Sequence, residues 1–250
     1  MFRRVPVSLL ENLELKIQEA LGKGWGSATT DKEAKIICDL AKNIISDEII
    51  VLDIGANVGN WSASIKKYLP NCRIFAFEPS AQAFEKVSTR FRNWEKFSCE
   101  NLAIGKDNIE TFLYADVSAS GLGSLTKRRV EHLGLSFDHS EPVKLATLDT
   151  WCLSQSPKVF PNIIKMDVEG HELDVLMGAV QILESVEVIQ FEFGGSNIDT
   201  KTYFQDFWYF FKSNGFKIYR ITPKGLKLIP EYSETHETFR PTNYIAVRKE

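Results

Sequence analysis

The stretch Ile49-Ile-Val-Leu-Asp53-Ile-Gly55-Ala-Asn57-Val-Gly59 decides the fold class. A short apolar run that ends in a glycine turn reads as a buried strand, and the residues from Asn60 to Tyr68 continue it as a helix. The same alternation continues toward the C-terminus. Arg73-Ile-Phe-Ala-Phe-Glu78 is a second strand, residues 81–91 are a helix, and 97–104 are a third strand. Further on, Asn162-Ile-Ile-Lys-Met-Asp167 is a strand. Leu173, Leu176, Ala179, Val180 and Leu183 make a helical stripe, and 186–193 is another strand. Alternation of this kind predicts an α/β fold with a parallel sheet and helices on both faces.

The flanks are different. Leu9, Leu13, Ile17 and Leu21 space as one helix. Gly22, Gly24 and Gly26 break it, and Thr30 or Asp31 can cap a second helix carrying Ile36, Ile37, Leu40, Ile44 and Ile45. Residues 1–46 are therefore expected as a helical extension packed on a main domain of 47–250. Residues 110–115 and 143–148 look like strands. The polar, glycine-bearing stretch between them marks 105–150 as an insertion of the kind that forms a lid or binding loop. Phe204, Phe207, Trp208 and Phe211 form a helical core stripe closed by Asn214-Gly215. Residues 216–221 and 244–247 are expected to pair as closing strands.

Of the 250 residues, 44% are hydrophobic and 25% charged, and the net charge is −3. An acidic chain weakens any nucleic-acid reading. No apolar run approaches the roughly 18 residues of a membrane span, and the N-terminus shows no secretory pattern. Cys38, Cys72, Cys99 and Cys152 lack metal-site spacing and read as reduced thiols of a cytoplasmic protein. The four histidines are scattered, so a structural zinc site is not expected.

In an open parallel sheet, ligands bind beyond the carboxyl ends of the strands. The loop there, Asp53 to Gly59, spaces its glycines as G-x-x-x-G, which is neither the dinucleotide fingerprint nor a P-loop. It also begins with an acid. A carboxylate repels a pyrophosphate but attracts an ammonium group, which S-adenosylmethionine (SAM) carries beside its sulfonium. Glu78, ending the second strand, is placed to accept hydrogen bonds from ribose hydroxyls.

These residues resemble the FkbM family of SAM-dependent methyltransferases. The resemblance rests on Asp53-Ile-Gly-Ala-Asn-Val-Gly59, Phe77-Glu-Pro79, Asn101-Leu-Ala-Ile-Gly105, Thr147-Leu-Asp149 and Ile164-Lys-Met-Asp-Val-Glu-Gly-His-Glu172, in family order over about residues 49–195. It implies a class I methyltransferase fold, Rossmann-like, with a seven-stranded, mostly parallel sheet whose last strand is antiparallel. It also implies SAM as methyl donor and a hydroxyl acceptor on a sugar, glycan or small natural product. Carried over residue by residue, Asp53, Gly55, Ala56, Asn57, Gly59 and Asn60 would hold the methionine end. Glu78 and Pro79 would hold the ribose. Asn101, Ala103 and Ile104 would flank the adenine, with Ser124 and Asp167 completing the cofactor set.

An alcohol acceptor must lose its proton, so a base is expected near the donor. His171 qualifies by residue type, with an unperturbed pKa near 6.5. Asp167 can orient it or serve as the base, and Glu192 at the end of the next strand is a further candidate. Asp167 and Glu192 together offer two ligands to magnesium, but the set lacks the third donor that such a site usually has, and no metal is expected. Gly121-Leu-Gly-Ser124 can close over the ligands, and Lys127-Arg128-Arg129 reads as a solvated charge cluster or an anion contact. Two other classes stay open at this point: an NAD-dependent oxidoreductase, which the glycine spacing opposes, and a non-catalytic SAM-binding module.

Overall fold

The computed structural model describes residues 6–24, 29–45 and 48–249. Gly26 and the first five residues, read above from sequence, lie outside them. In chain order the first elements are α1 (Val7–Ala20), α2 (Thr30–Ile44), β1 (Ile50–Ile54), α3 (Asn60–Tyr68), β2 (Arg73–Phe77) and α4 (Ala81–Phe91). Next come β3 (Phe97–Glu100), β4 (Ala103–Ile104), β5 (Ile109–Ala115), β6 (His139–Ala146) and α5 (Leu148–Ser154). The chain finishes with β7 (Ile163–Met166), α6 (Glu172–Met177), β8 (Val188–Phe193), α7 (Ser196–Thr200), α8 (Phe204–Ser213), β9 (Phe216–Thr222), β10 (Gly225–Ile229) and β11 (Thr242–Arg248).

The main sheet runs β10-β9-β11-β8-β7-β1-β2-β3. The five strands from β3 to β8 are mutually parallel, and the order reverses between β1 and β7. β11 inserts antiparallel between β8 and β9, so 216–221 and 244–247 do pair, as expected. This is the class I methyltransferase sheet with one strand more than the seven expected. The addition is β10, a hairpin return on β9. Two strand boundaries also differ from expectation. Residues 97–104 split, because β3 joins the main sheet while β4 joins a second sheet of order β4-β6-β5. The strand expected over 143–148 starts earlier and stops at Ala146. Thr147 accepts a hydrogen bond from the Thr150 amide and so caps α5, which makes Leu148 helical. Regular sheet thus occupies both ends of the 105–150 stretch.

The strands bury both faces, which is why they are nearly continuously apolar. Val51, Ile74, Ile163 and Val188 pack beneath α2 and α3. Leu52, Ile54, Ile164, Met166, Ile189 and Phe191 face the other side, where Phe204, Phe207, Trp208 and Phe211 of α8 fill the core as expected. Of the two N-terminal helices, α2 buries Ala34, Ile37, Cys38 and Ala41. α1 buries no side chain; Leu9, Leu13, Ile17 and Leu21 are each about half exposed. Three of the cysteines are buried.

One row across the α2/α3 face is polar. Asp53, Lys165 and Gln190 are register partners on β1, β7 and β8 and are all buried. Lys165 Nζ lies 3.3 Å from Asp53 Oδ1 and donates to the Gly55 carbonyl at 2.9 Å. Ser62 Oγ donates to Asp53 Oδ2 at 2.6 Å. Removing one member of a buried pair leaves a charge uncompensated. We therefore expect Lys165→Met to destabilise the fold by about 3–5 kcal/mol. Adding Asp53→Asn should recover at least half of that loss. Urea denaturation of the three proteins checks this, and equal stability of Lys165→Met and wild type would refute it.

Candidate active site

The polar row ends where β1 and β7 deliver their loops to the sheet's carboxyl edge. Gly55 and Ala56 donate to the Phe77 carbonyl, and Asp167 donates to the Ile54 carbonyl, so the two loops are pinned to neighbouring strands. Gly55 has φ +75°, and a Cβ built there would lie 1.9 Å from the Asp167 carbonyl oxygen. Only glycine allows that approach. At Gly59, with φ +78°, a Cβ would meet the Phe91 ring at 2.6 Å. The glycine pair therefore serves contact between loops and helices as much as contact with a ligand.

Two clefts open from this edge. The first encloses about 660 Å³ of empty space. Its walls are Gly55, Asn57, Glu78, Pro79, Ala103 and Ile104, with Leu102, Leu113, Leu125 and the glycines Gly121 and Gly123 opposite. The second is larger, about 2430 Å³, and open to solvent. Ala56, Asn60, Trp61, Glu33, Arg128, Gln190, Glu192 and Asn243 are among its lining residues. Gly55, Asn57, Gly121, Asp167 and Glu169 border both clefts.

Several residues expected in the site stand elsewhere. Asp53 is fully buried and lines neither cleft; Ser62 donates to its Oδ2, and Lys165 pairs with its Oδ1 at 3.3 Å. Asn101 braces the Glu78 and Pro79 carbonyls, and the adjacent Leu102 takes the place in the cleft wall. Gly59 caps α3 outside both linings. Ser124 donates to the Glu169 carbonyl at 2.8 Å, leaving Gly123 and Leu125 to face the cleft. His171 borders neither cleft. Its Nε2 is 3.0 Å from Thr126 Oγ1 and its Nδ1 2.8 Å from Asp174 Oδ2, so both ring nitrogens are engaged in bracing the loop. Glu172 accepts from the Val168 and Gly170 amides, which closes that loop ahead of α6. The Lys127-Arg128-Arg129 cluster divides. Arg128 is mostly buried, pairing with Glu169 at 2.6 Å and Asp199 at 3.5 Å, whereas Lys127 and Arg129 are exposed.

The structure also brings in residues that the sequence reading did not single out. Lys165 lies 3.6 Å from Asp167 as well as beside Asp53. Its signal was a charge in the middle of an apolar strand. Burial pulls its pKa down, but Asp53, Asp167 and Glu78 outweigh burial and hold it above the ordinary lysine value. Glu33 of α2 accepts from Thr29 Oγ1 at 2.5 Å, Gln190 Nε2 at 3.0 Å and Asn243 Nδ2 at 3.2 Å. Trp61 Nε1 donates to Gln190 in turn. No local pattern announces that network, because its members lie on four separate elements.

Burial dominates the acid chemistry. It pushes Glu33 up to about 7 against its three donors. It does the same to Glu78, which accepts from the Asn57 and Ser80 amides. Glu192 is raised well above the ordinary range by burial, then by Asp167, Glu169 and Glu172. Glu169 is raised by burial and Asp167 despite Arg128. Among the described residues, no three His, Cys, Asp or Glu side chains are grouped to hold a metal ion.

Strand order, the switch point and the loop pair between β1 and β7 define a class I methyltransferase domain. The methyltransferase FkbM domain model matches residues 53–218, and the chain belongs to that family. Hexuronic acid methyltransferase AglP of Haloferax volcanii is 28% identical over 169 residues, which is 66% of this chain and 64% of that protein. The chain thus spans just under two thirds of that relative. 2-O-methyltransferase NoeI of Sinorhizobium fredii is 23% identical over 200 residues, 76% of this chain and 82% of that protein. Among solved structures, a precorrin-6y C5,15-methyltransferase from Geobacter metallireducens overlays with a TM-score of 0.44 at 14% identity, covering 87% and 88% of the two chains. No described helix is long and apolar enough to cross a membrane.

The raised carboxyls set the pH dependence of the ligand-free fold. Glu33 and Glu78 bind a proton more tightly when folded, at about 7, than at the ordinary glutamate value of 4.5. The stability they contribute is complete below about pH 4.5 and is lost as pH climbs through about 7, at up to about 1.4 kcal/mol per unit for each group. The melting temperature should therefore fall between about pH 5 and pH 8. A flat or rising profile over that window would contradict the assignment.

Proposed function

We propose that this protein transfers a methyl group from SAM to a hydroxyl of a sugar or other small polyhydroxyl acceptor. The junction of the two clefts at Gly55, Asn57 and Asp167 carries this reading. The residues of the smaller cleft fit SAM. Ile54, Phe77, Leu102, Ile104 and Leu113 offer an apolar slot for a purine, and the Glu78 carboxylate stands at its rim for a ribose diol. The Asp167 carboxylate, where the clefts meet, stands ready for an ammonium or sulfonium. SAM supplies an activated methyl on a sulfonium whose charge also favours ionised neighbouring carboxylates.

The chain's own task is then alignment and proton removal. Asp167 and the Gly55 loop position the acceptor at the junction. Glu192, one strand over on β8 and bordering the open cleft, is the base. With SAM bound, the hydroxyl oxygen would bond to the methyl carbon as the methyl–sulfur bond breaks and S-adenosylhomocysteine leaves, and the hydroxyl proton would pass to a Glu192 carboxylate oxygen. Lys165 Nζ lies 3.6 Å from the Asp167 carboxylate. His171 acts as a brace for the β7–α6 loop, with its two ring nitrogens occupied.

Calorimetric titration with S-adenosylhomocysteine, with NADH in parallel, tests the cofactor. Micromolar binding of the former, weakened tenfold or more (about 1.4 kcal/mol) by Glu78→Ala, is the expected outcome. Binding of NADH instead, or of neither ligand to folded protein, would overturn the reading. With an acceptor in hand, Glu192→Gln should lower kcat by about 10²–10⁴-fold with homocysteine-ligand affinity unchanged. His171→Ala should stay within a factor of about ten of wild type, which is less than the loss of a general base costs.

A further inference from the structure

Resting on that reading, we propose that Glu33, held by Gln190 and Asn243, is the specificity-determining residue of the open cleft, and that the cleft selects uncharged polyhydroxyl acceptors over carboxylated ones. The first support is geometric. Glu33 is only 3% exposed yet borders the open cleft. A carboxylate offers about four lone-pair positions. Thr29 and Asn243 occupy Oε1 and Gln190 occupies Oε2, which leaves one position on Oε2 for a donor entering from the cleft. Three donors on three elements fix the direction of that position. An acceptor hydroxyl that donates to it is held in one register relative to Glu192, which lies two residues beyond Gln190 on the same face of β8 and is the register partner of Asn243.

The second support is charge. Among the described residues, the open cleft is lined by six carboxylates against three cationic side chains. Two of the cations are committed: Arg128 to Glu169 and Asp199, and Lys165 to Asp53 and Asp167. The third, Arg129, is exposed, 4.0 Å from Asp199. A carboxylate on the acceptor would enter a space already crowded with acids, with no unpaired buried cation among the described residues to meet it. A neutral ring brings hydroxyl donors for the acids and apolar faces for Trp61 and Phe239, which also border the cleft. Glu33 and Asn243 both lie outside the 53–218 segment that matches the family, so this selection belongs to the chain's own flanks.

The test is methyl transfer from labelled SAM to methyl α-glucopyranoside, methyl α-mannopyranoside and methyl α-galactopyranoside, each with its single-deoxy derivatives and compared with methyl glucuronide. Wild type, Glu33→Gln and Asn243→Ala are assayed, and S-adenosylhomocysteine affinity and melting temperature are measured for each. The expected result is at least 100-fold preference for an uncharged glycoside over the glucuronide. One deoxy position should cost the wild type 100-fold or more in kcat/KM, and that penalty should collapse to under tenfold in Glu33→Gln at unchanged homocysteine-ligand affinity. A variant that merely unfolds loses ligand affinity and melting temperature together, and Asn243→Ala, which keeps the carboxylate, then carries the test through a raised KM. Preference for the glucuronide, an unchanged deoxy penalty, or cofactor binding with no transfer to any uncharged glycoside would each overturn the proposal. Absence of cofactor binding in the wild type would instead overturn the methyltransferase reading itself.

Discussion

The ion pair between Asp53 and Lys165 is the constraint on which the rest of this structure depends. Taking two charges out of water costs several kcal/mol for each, and the loss is offset only when geometry and extra hydrogen bonds are good. Here both conditions hold. Lys165 is shared among Asp53, the Gly55 carbonyl and Asp167, and Asp53 also accepts from Ser62. Because the two residues are register partners on adjacent parallel strands, the pair fixes how β1 and β7 sit side by side. It then fixes the loops that leave them. The Asp167 carbonyl comes so close to Gly55 that no side chain fits between, and the cleft begins at that contact.

From that seam outward the chain divides its labour. The segment that matches the family supplies most of the parallel strands, the glycine loop, Glu78 and the wall of the smaller cleft. The flanks complete the second cleft: α2 contributes Glu33 and β11 contributes Asn243, joined through Gln190 to Trp61 of α3. The β5–β6 connection closes the remaining side. Arg128, Ser124 and Thr126 tie it to the Asp167–His171 loop through Glu169 and the imidazole. Residues that look catalytic by type, such as His171, are used here to hold that connection in place.

Crowding of acids is the chemical consequence. Glu33, Glu169 and Glu192 are each pushed upward by burial and by Asp167. A carboxyl with raised proton affinity is a poor permanent anion but a good proton acceptor once a cation arrives nearby. The same arrangement that weakens the empty fold at alkaline pH thus prepares it for a positively charged donor.

How much of this was legible in the sequence follows the range of the interactions. Strand and helix periodicity are local, so the α/β alternation, the α8 aromatic stripe and the glycine turn after β1 could all be read directly. Glu78 was legible as a cleft residue because its place at a strand end follows from that alternation, and Pro79, Ala103 and Ile104 through the family resemblance. Strand pairing is not local. The departure of β4 into a second sheet and the return of β10 on β9 leave no periodic mark in residues 97–104 or 216–229. Burial of Asp53 is likewise a property of its cross-strand neighbour, and the part played by His171 depends on Thr126, 45 residues away. The Glu33 network joins residues up to 210 positions apart. By itself the sequence determined the order of elements and which strand ends carry acids, because both depend on neighbours along the chain. The tertiary structure alone decided which acids face the clefts and which serve as internal struts, because that depends on charges and donors brought together from distant elements.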